Sequence, residues 1–230
     1  MIPLRDAIPS GSFPAVTALL ITLNVLAFFY ELSLGRQLDV FIMQYGAVPL
    51  RFVLAGQMEQ VSTIERVLPL FISMFLHGGW LHLGGNMLYL WIFGDNVEDR
   101  LGHGRFLLFY LTCGLAAALA QIYAAPTSRI PMVGASGAVA GVLGAYLILL
   151  PHSRVLALIP ILFFFQIVEL PAFLFLLFWF LMQFLNGAVS ITAAPYMTGG
   201  VAWWAHVGGF VSGTALGFLL SKRKRQVWIQ

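Results

Sequence analysis

Long apolar stretches interrupted by very few charged residues restrict the fold of this chain more than any other feature. Hydrophobic residues make up 60% of its 230 residues and charged residues 9%, whereas soluble domains carry roughly 25% charged residues. A helix of roughly 20 apolar residues is long enough to cross the hydrocarbon core of a bilayer. We therefore predict an all-α membrane protein that crosses the bilayer several times.

Six transmembrane segments are predicted from the positions of these stretches. They cover approximately residues 13–34, 79–96, 106–124, 133–150, 170–185 and 200–220. The long first loop, Gly35 to His77, is too polar to cross the bilayer and too apolar to leave it, so we expect it to lie in the interface. The predicted fold is a six-helix bundle with a membrane-associated first loop.

The number of crossings is open at one place, residues 155–185. This stretch could hold one transmembrane segment with an interfacial lead-in over 155–170, or it could hold two segments. The positive-inside rule favours six crossings, since an even number keeps the N-terminus and the basic cluster Lys222–Arg225 together on the cytoplasmic side. All 230 residues are then predicted to form a single membrane domain, with a short cytoplasmic N-terminus (1–12) and a basic C-terminal tail (221–230).

Charge and cysteine content exclude several other classes of protein. Four of the twelve basic residues lie in Lys222–Arg225, so the net charge of +3 indicates a cytoplasmic anchor and not a surface for nucleic acid. The one cysteine, Cys113, excludes an internal disulfide. Residues 1–14 lack the pattern of a signal peptide, so the first segment is expected to stay in the mature protein. The six-crossing form without further domains favours the inner membrane of a prokaryote.

Four polar residues lie well inside the predicted segments, where such groups are costly and are functional candidates by default. They are His82 and Asn86 in the second segment, Ser136 in the fourth and His206 in the sixth. All three segments enter from the outer surface, and at ~1.5 Å per residue the four side chains lie roughly 4–10 Å below it. The topology alone therefore brings them into the outer third of the membrane.

Glycine spacing predicts that two of these segments pack closely. Gly137-x-x-x-Gly141 in the fourth segment and the repeat of Gly209, Gly213 and Gly217 in the sixth are small-residue faces, which allow helices to approach backbone to backbone. Such packing would bring Ser136 within reach of His206. The sequence therefore favours a close contact between the fourth and sixth segments.

The chemistry that this contact permits is nucleophilic catalysis. A serine hydroxyl is a weak nucleophile until a neighbouring base, usually a neutral histidine, takes its proton. The unpaired N–H groups at the start of the Ser136 helix, with the side chains of His82 and Asn86, could stabilise an oxyanion. Gly134 and Gly137 leave room for a substrate backbone. No acid lies at this depth inside a segment, so we predict a Ser136–His206 dyad without a third acidic member.

Simpler interpretations apply to each residue taken alone. A serine in a membrane helix is usually a packing residue, and a lone buried histidine is more often structural than catalytic. His77, His82 and His206 could in principle hold a metal, but no carboxylate or cysteine completes such a site, so no metal is expected. Only the combination of the four polar residues favours a catalytic function.

At these residues the chain resembles the rhomboid family of intramembrane serine proteases. Four motifs carry the resemblance, in the family's order and on the expected segments: "HGGWLHLGGNM" (77–87), "FGDNVEDRLG" (93–102), "GASG" (134–137) and "AHVGG" (205–209). The resemblance implies Ser136 as nucleophile, His206 as base, and an oxyanion hole made by His82, Asn86 and the Ser136 amide. It also implies single-span membrane protein substrates, cleavage near the membrane surface and no cofactor.

The chain departs from the family pattern at two places. Many members carry a tyrosine four residues after the serine, where this chain has Ala140, and the first loop lacks the Trp-Arg pair of some members. The ring of His206 must then be held by other aromatic residues or less firmly. Two alternatives remain: a non-catalytic rhomboid-like factor that binds membrane proteins, and a small transporter that uses the helix start at Ser136 as an anion site.

The fifth segment is the one predicted to be held most weakly. It has no glycine face, and its bulky side chains, among them Phe178 and Trp179, surround the whole helix. We therefore expect a membrane-borne substrate to enter laterally beside this segment, against the second segment.

Overall fold

The computed structural model describes residues 1–161, 164–192 and 200–220. The basic tail predicted at 221–230 lies outside the described residues, as do residues 193–199 of the loop between the fifth and sixth segments.

Most of the described chain is helical, and each of the six predicted segments overlaps one helix of 14 to 22 residues. The described helices, in chain order, are α1 (Ala15–Ser33), α2 (Leu38–Tyr45), α3 (Pro49–Ala55), α4 (Thr63–Ile72), α5 (Trp80–Leu101), α6 (His103–Ala124), α7 (Ser136–Leu149), α8 (Ala172–Thr192) and α9 (Trp203–Leu220). The prediction of a helical membrane protein is therefore confirmed.

Fewer than six of the described helices are long and apolar enough to count as membrane crossings. Within the described residues, α1, α6 and α8 are each long and apolar enough to cross a bilayer, and α4 with α5 makes a fourth candidate if this pair, bent by 85°, is one broken span. Helix α7 is apolar but has only 14 residues. The count of six crossings stays a prediction.

The first loop is built from three short helices, α2 to α4, with well-defined ends. Ser62 and Glu65 form a reciprocal capping box at the start of α4. The guanidinium group of Arg51 donates hydrogen bonds to the carbonyls of Met43 (2.6 Å) and Gln44 (2.9 Å) in the last turn of α2. These bonds satisfy carbonyl groups that have no partner within the helix, so the loop is ordered by local polar contacts.

Helix α1 is attached to α5 by the carboxylate of Glu98. This carboxylate accepts hydrogen bonds from the backbone N–H groups of Val16 (2.9 Å) and Thr17 (2.8 Å) and from the hydroxyl of Thr17 (2.7 Å). Because α1 has no side-chain cap of its own, an acid from a neighbouring helix caps its N-terminus. The motif "FGDNVEDRLG" (93–102) therefore contains an acid that joins two helices.

Helices α7 and α9 form the centre of the bundle and are in main-chain contact. A β-carbon added at Gly209 would collide with the carbonyl oxygen of Gly137, and one added at Gly213 would collide with that of Gly141. One turn further along, a β-carbon at Gly217 would lie 2.9 Å from the Cα of Ala145. Only glycine fits at these crossings, so the separation of the two helices is set by their backbones.

The described residues 155–161 and 164–170 are extended and form no second transmembrane helix. They lie in two antiparallel strands, β2 (Arg154–Ile161) and β3 (Phe164–Pro171). Two features oppose a helix here: Pro160 cannot donate a helical hydrogen bond, and the β-branched residues favour extended backbone. The interfacial position of this stretch stays a prediction.

The N-terminus supplies a third strand, β1 (Ile2–Asp6), which pairs antiparallel with β2. The N-terminal stretch predicted as a short tail (1–12) therefore contains a strand of this sheet. The pairing joins Ile2 to Leu158 and Asp6 to Val155. A pairing over some 150 residues leaves no local signal in the sequence, and the sheet is an addition to the predicted helical fold.

Strand β1 contacts α5, and strands β2 and β3 contact α8. At its polar end, Asp6 accepts hydrogen bonds from Asn96 of α5 (2.9 Å) and from the hydroxyl of Tyr146 of α7 (2.6 Å). Burial raises the pKa of Asp6, and the hydrogen bond from Tyr146 opposes that rise. At its apolar end, the hydroxyl of Tyr89 lies 3.4 Å from the carbonyl oxygen of Met1. The sheet thus connects α5, α7 and α8.

Candidate active site

Ser136 and His206 are hydrogen-bonded to each other. Ser136 is the first residue of α7, and His206 lies in the first turn of α9. The hydroxyl Oγ of Ser136 is 2.8 Å from Nε2 of His206, and both residues are half-buried. A neutral imidazole nitrogen in this position can accept the hydroxyl proton, which is the arrangement that makes a serine nucleophilic.

Small residues next to the pair allow this distance. A β-carbon at Gly137 would lie 2.6 Å from the side chain of Ala117 on α6 and 3.7 Å from the carbonyl oxygen of Ala205, the residue before His206. The next contact along the two helices is the crossing of Gly209 with Gly137 described above. Ser136 and His206 therefore stand at the end of the most closely packed helix pair in the described chain.

The imidazole ring of His206 is held on three sides. Its Nδ1 is 2.8 Å from Oε1 of Gln183 on α8. The rings of Trp179 and Trp203 lie with their centroids 6.0 Å from that of the imidazole. Ala140, which stands where many rhomboids have tyrosine, is fully buried against the backbone of Gly209. Two tryptophans and a glutamine thus surround the ring where the family pattern has a tyrosine.

Gln183 was missed by the sequence reasoning, although a signal for it was available. It is an amide within the apolar run of the fifth segment, near the outer end of that segment. The rule that polar groups inside membrane segments are functional candidates applies to it as it does to His82 and Asn86.

His82 and Asn86 lie beside the backbone that leads into Ser136. Gly134 has φ +127°, and its N–H donates to the carbonyl of Ser73 at 2.9 Å. A β-carbon at Gly134 would lie 2.7 Å from Nε2 of His82 and 3.6 Å from Nδ2 of Asn86. The position needs glycine both for its backbone conformation and for the space that the two side chains occupy.

Asn86 is fixed by a histidine that the sequence reasoning considered only as a metal ligand. Nδ2 of Asn86 is 3.0 Å from Nε2 of His77, and Nδ1 of His77 is 3.3 Å from the carbonyl of Phe75. The carbonyl can only accept, so Nδ1 carries the proton and Nε2 accepts from Asn86. The backbone N–H of His77 donates to the carboxylate of Glu31 at 3.1 Å. His77 is 2% exposed, so this chain of contacts is shielded from solvent.

The four predicted residues line one cavity of about 640 Å³ between α5, α7, α8 and α9. Ser136, His206, His82 and Asn86 all contribute to its walls, together with Gln183. A larger cavity of about 970 Å³ lies under the first loop, between Met43 and Arg66, and contains none of these residues. The described residues contain no group of three or more histidine, cysteine or acidic side chains placed to hold a metal.

Fold and site together define a polytopic helical membrane protein with a serine–histidine pair in a cavity between its helices. The sequence profile of the Rhomboid domain matches residues 65–223, which include all the candidate site residues. The chain belongs to the rhomboid family.

Individual relatives come from mitochondria and from a bacterium. The chain is 30% identical over 178 residues to Rhomboid protein 1, mitochondrial, of Saccharomyces cerevisiae, covering 75% of this chain and 47% of the yeast protein. It is 34% identical over 142 residues to Rhomboid protease GluP of Bacillus subtilis, covering 61% and 26%. It is 31% identical over 159 residues to RHOMBOID-like protein 6, mitochondrial, of Arabidopsis thaliana, covering 69% and 45%. The chain spans less than half the length of each of these curated relatives.

Proposed function

We propose that the protein is an intramembrane serine endopeptidase that cleaves single-span membrane proteins near the membrane surface. The observation that carries this proposal is the 2.8 Å hydrogen bond between Ser136 and His206 inside a cavity of the helical bundle. The rhomboid family membership and the similarity to a protein named as a rhomboid protease support it.

In the first half of the proposed reaction, Oγ of Ser136 attacks the carbonyl carbon of the scissile peptide while Nε2 of His206 takes its proton. The tetrahedral intermediate collapses to an ester on Ser136, and His206 gives the proton to the leaving amine. In the second half, water attacks the ester and its proton passes to His206, which returns it to the Ser136 oxygen. These steps need no cofactor.

The oxyanion formed in each half is proposed to lie between His82, Asn86 and the backbone N–H of Ser136. Hydrogen-bond donors that are already in place stabilise the developing charge without reorganisation. One N–H of Asn86 is engaged by His77, so the amide is oriented before substrate binds and its second N–H can serve the oxyanion. The rigid support from His77 is the feature that favours this role over simple packing.

Replacing Asn86 with alanine should slow cleavage by about 10²–10³-fold if it is a sole donor, and by less if His82 and the backbone share the charge. The folded yield should change little. Initial rates on a fluorescent transmembrane substrate measure the effect. If the double variant at His82 and Asn86 turned over at the wild-type rate, the assignment of the oxyanion hole would be wrong.

Lateral entry of the substrate beside α8 is part of the proposal. Helix α8 exposes a broad apolar surface, with Phe178 49% and Leu185 49% accessible. Its inner end is packed, since Phe175 is buried against Phe93 of α5 with ring centroids 6.2 Å apart. The outer halves of α5 and α8 border the cavity instead. The proposed route therefore runs between these outer halves, towards Ser136.

The proposal is tested by reconstituting the purified protein in liposomes with a single-span substrate that carries a fluorophore on each side of its membrane segment. Cleavage should be seen with the wild type and lost with Ser136→Ala. If the substrate is bound but never cut, the chain is a rhomboid-like binding factor. If Ser136→Ala produces the same fragments as the wild type, a different residue or a contaminant is responsible.

We also propose that the protein lies in a prokaryotic inner membrane and, from the charge pattern, that both of its termini are in the cytoplasm. Single cysteines introduced in the N-terminal stretch and in the loop before Gly200 distinguish the two sides when intact cells are treated with a membrane-impermeant thiol reagent.

A further inference from the structure

Gln183 is a buried amide whose two ends have different partners. It is 8% exposed, in a helix that is otherwise almost entirely apolar. Its Nε2 is 3.3 Å from the carbonyl oxygen of Trp179, one turn earlier in α8. Its Oε1 is 2.8 Å from Nδ1 of His206. The amide thus joins the backbone of α8 to the imidazole on α9.

These contacts determine where the protons lie. The carbonyl of Trp179 can only accept a hydrogen bond, so the NH₂ end of the amide faces it and the oxygen faces His206. An amide oxygen can only accept as well, so Nδ1 of the imidazole must carry the ring proton. Nε2 is then unprotonated and can accept the hydroxyl proton of Ser136, which lies 2.8 Å away.

We infer that Gln183 is the positioning residue that holds His206 in the orientation and tautomer required to accept a proton from Ser136. This inference rests on the proposed function, because it assigns a role in the same site. It replaces the expected two-residue dyad with a Ser–His–Gln arrangement whose third member is neutral. A neutral oxygen orients the ring without adding a negative charge below the membrane surface, where an unpaired carboxylate would be costly.

A purely structural interpretation of Gln183 is also available, because polar side chains in membrane helices often bond to the carbonyl four residues earlier. Asn186, one turn further along the same helix, does this: its Nδ2 is 2.6 Å from the carbonyl of Met182. Asn186 is not in the cavity wall and has no contact with the imidazole among the described hydrogen bonds. It therefore provides a matched control on the same helix.

The first test measures the rate at which a fluorophosphonate reacts with the serine, as a function of pH. Gln183→Leu has similar size but neither hydrogen bond, and it should slow labelling by about 10²-fold, as expected for a misplaced catalytic group. Asn186→Leu should label at the wild-type rate. Gln183→Glu keeps the acceptor oxygen and should recover much of the rate. Its added charge stabilises protonated His206, so the acid limb of its pH profile should move to higher pH.

The second test does not depend on activity. In protein labelled with ¹⁵N-histidine, the ring nitrogens of His206, assigned by comparison with His206→Ala, should show a protonated Nδ1 and an unprotonated Nε2. Gln183→Leu should remove this preference and Asn186→Leu should keep it. A wild-type rate and pH profile for Gln183→Leu, or the opposite tautomer in the wild type, would overturn the inference. A wild type that shows the expected tautomer but no labelling would contradict the proposed function and leave the positioning role standing.

Discussion

A fluorophosphonate probe should label the purified protein at Ser136, and Ser136→Ala or His206→Ala should each reduce labelling on the order of 10³-fold or more. The reason is that an ordinary serine hydroxyl barely reacts, whereas one that is hydrogen-bonded to an unprotonated imidazole loses its proton as it attacks. The 2.8 Å separation between Oγ and Nε2 places the two groups within reach of such a transfer. Mass spectrometry of the labelled protein should locate the adduct on the peptide that contains Ser136.

A second hydroxyl in the same helix pair is the control for this labelling. Ser212 lies on α9, and its hydroxyl donates to the carbonyl of Gly209 at 2.9 Å. Ser212→Ala should therefore leave labelling unchanged. Labelling of folded protein that survives Ser136→Ala, or that does not need His206, would contradict the assignment of nucleophile and base.

Gly213→Ala should be among the most damaging single-methyl changes in the chain. The added β-carbon would occupy the place of the carbonyl oxygen of Gly141, and neither backbone can move without separating α7 from α9. Overpacking typically costs 1–3 kcal/mol, so a clash between two main chains is expected to cost about 3 kcal/mol or more. Thermal denaturation in detergent should show a drop of roughly 10 °C, and probe labelling should fall because the serine and histidine are moved apart.

The same chemical change at Gly84 provides the control. Gly84 lies on α5, and a β-carbon there would meet nothing within 4 Å. Gly84→Ala is expected to be neutral or slightly stabilising, since alanine favours a helix over glycine by about 1 kcal/mol. Equal melting temperatures for Gly213→Ala and Gly84→Ala would mean that α7 and α9 are not held together by main-chain contact.

The position of the candidate site was predictable because it depends on two local properties of the sequence. Helix rise and membrane topology give the depth of each polar residue, and glycine spacing indicates which helices approach closely. The predicted depths place His82, Asn86, Ser136 and His206 at a similar level in the membrane. In the structure, all four side chains line one cavity. Neither property requires knowledge of how distant parts of the chain pair.

The features that could not be predicted from the sequence are contacts between residues that lie far apart in the chain. The three-stranded sheet joins Ile2 to Leu158, and nothing local to either residue indicates the other. The contact between Glu31 and the backbone of His77 similarly joins two positions 46 residues apart in the sequence. Gln183 was different, because its isolated position in an apolar helix was visible in the sequence, whereas its partner His206 was not.

One part of the cavity wall is tightly packed and another part is exposed. This difference affects which residues of the protein can change over evolution. Ser136 and His206 are carried by α7 and α9, whose crossing points accept no side chain at all. Helix α8, by contrast, turns side chains such as Phe178 and Leu185 outwards with little packed against them. Substitutions at these exposed positions of α8, unlike those at Gln183 beside His206, can therefore accumulate at little cost to folding, while those on the glycine faces are removed by selection. A shift in substrate preference is accordingly expected to arise on α8, with the chemistry inherited unchanged.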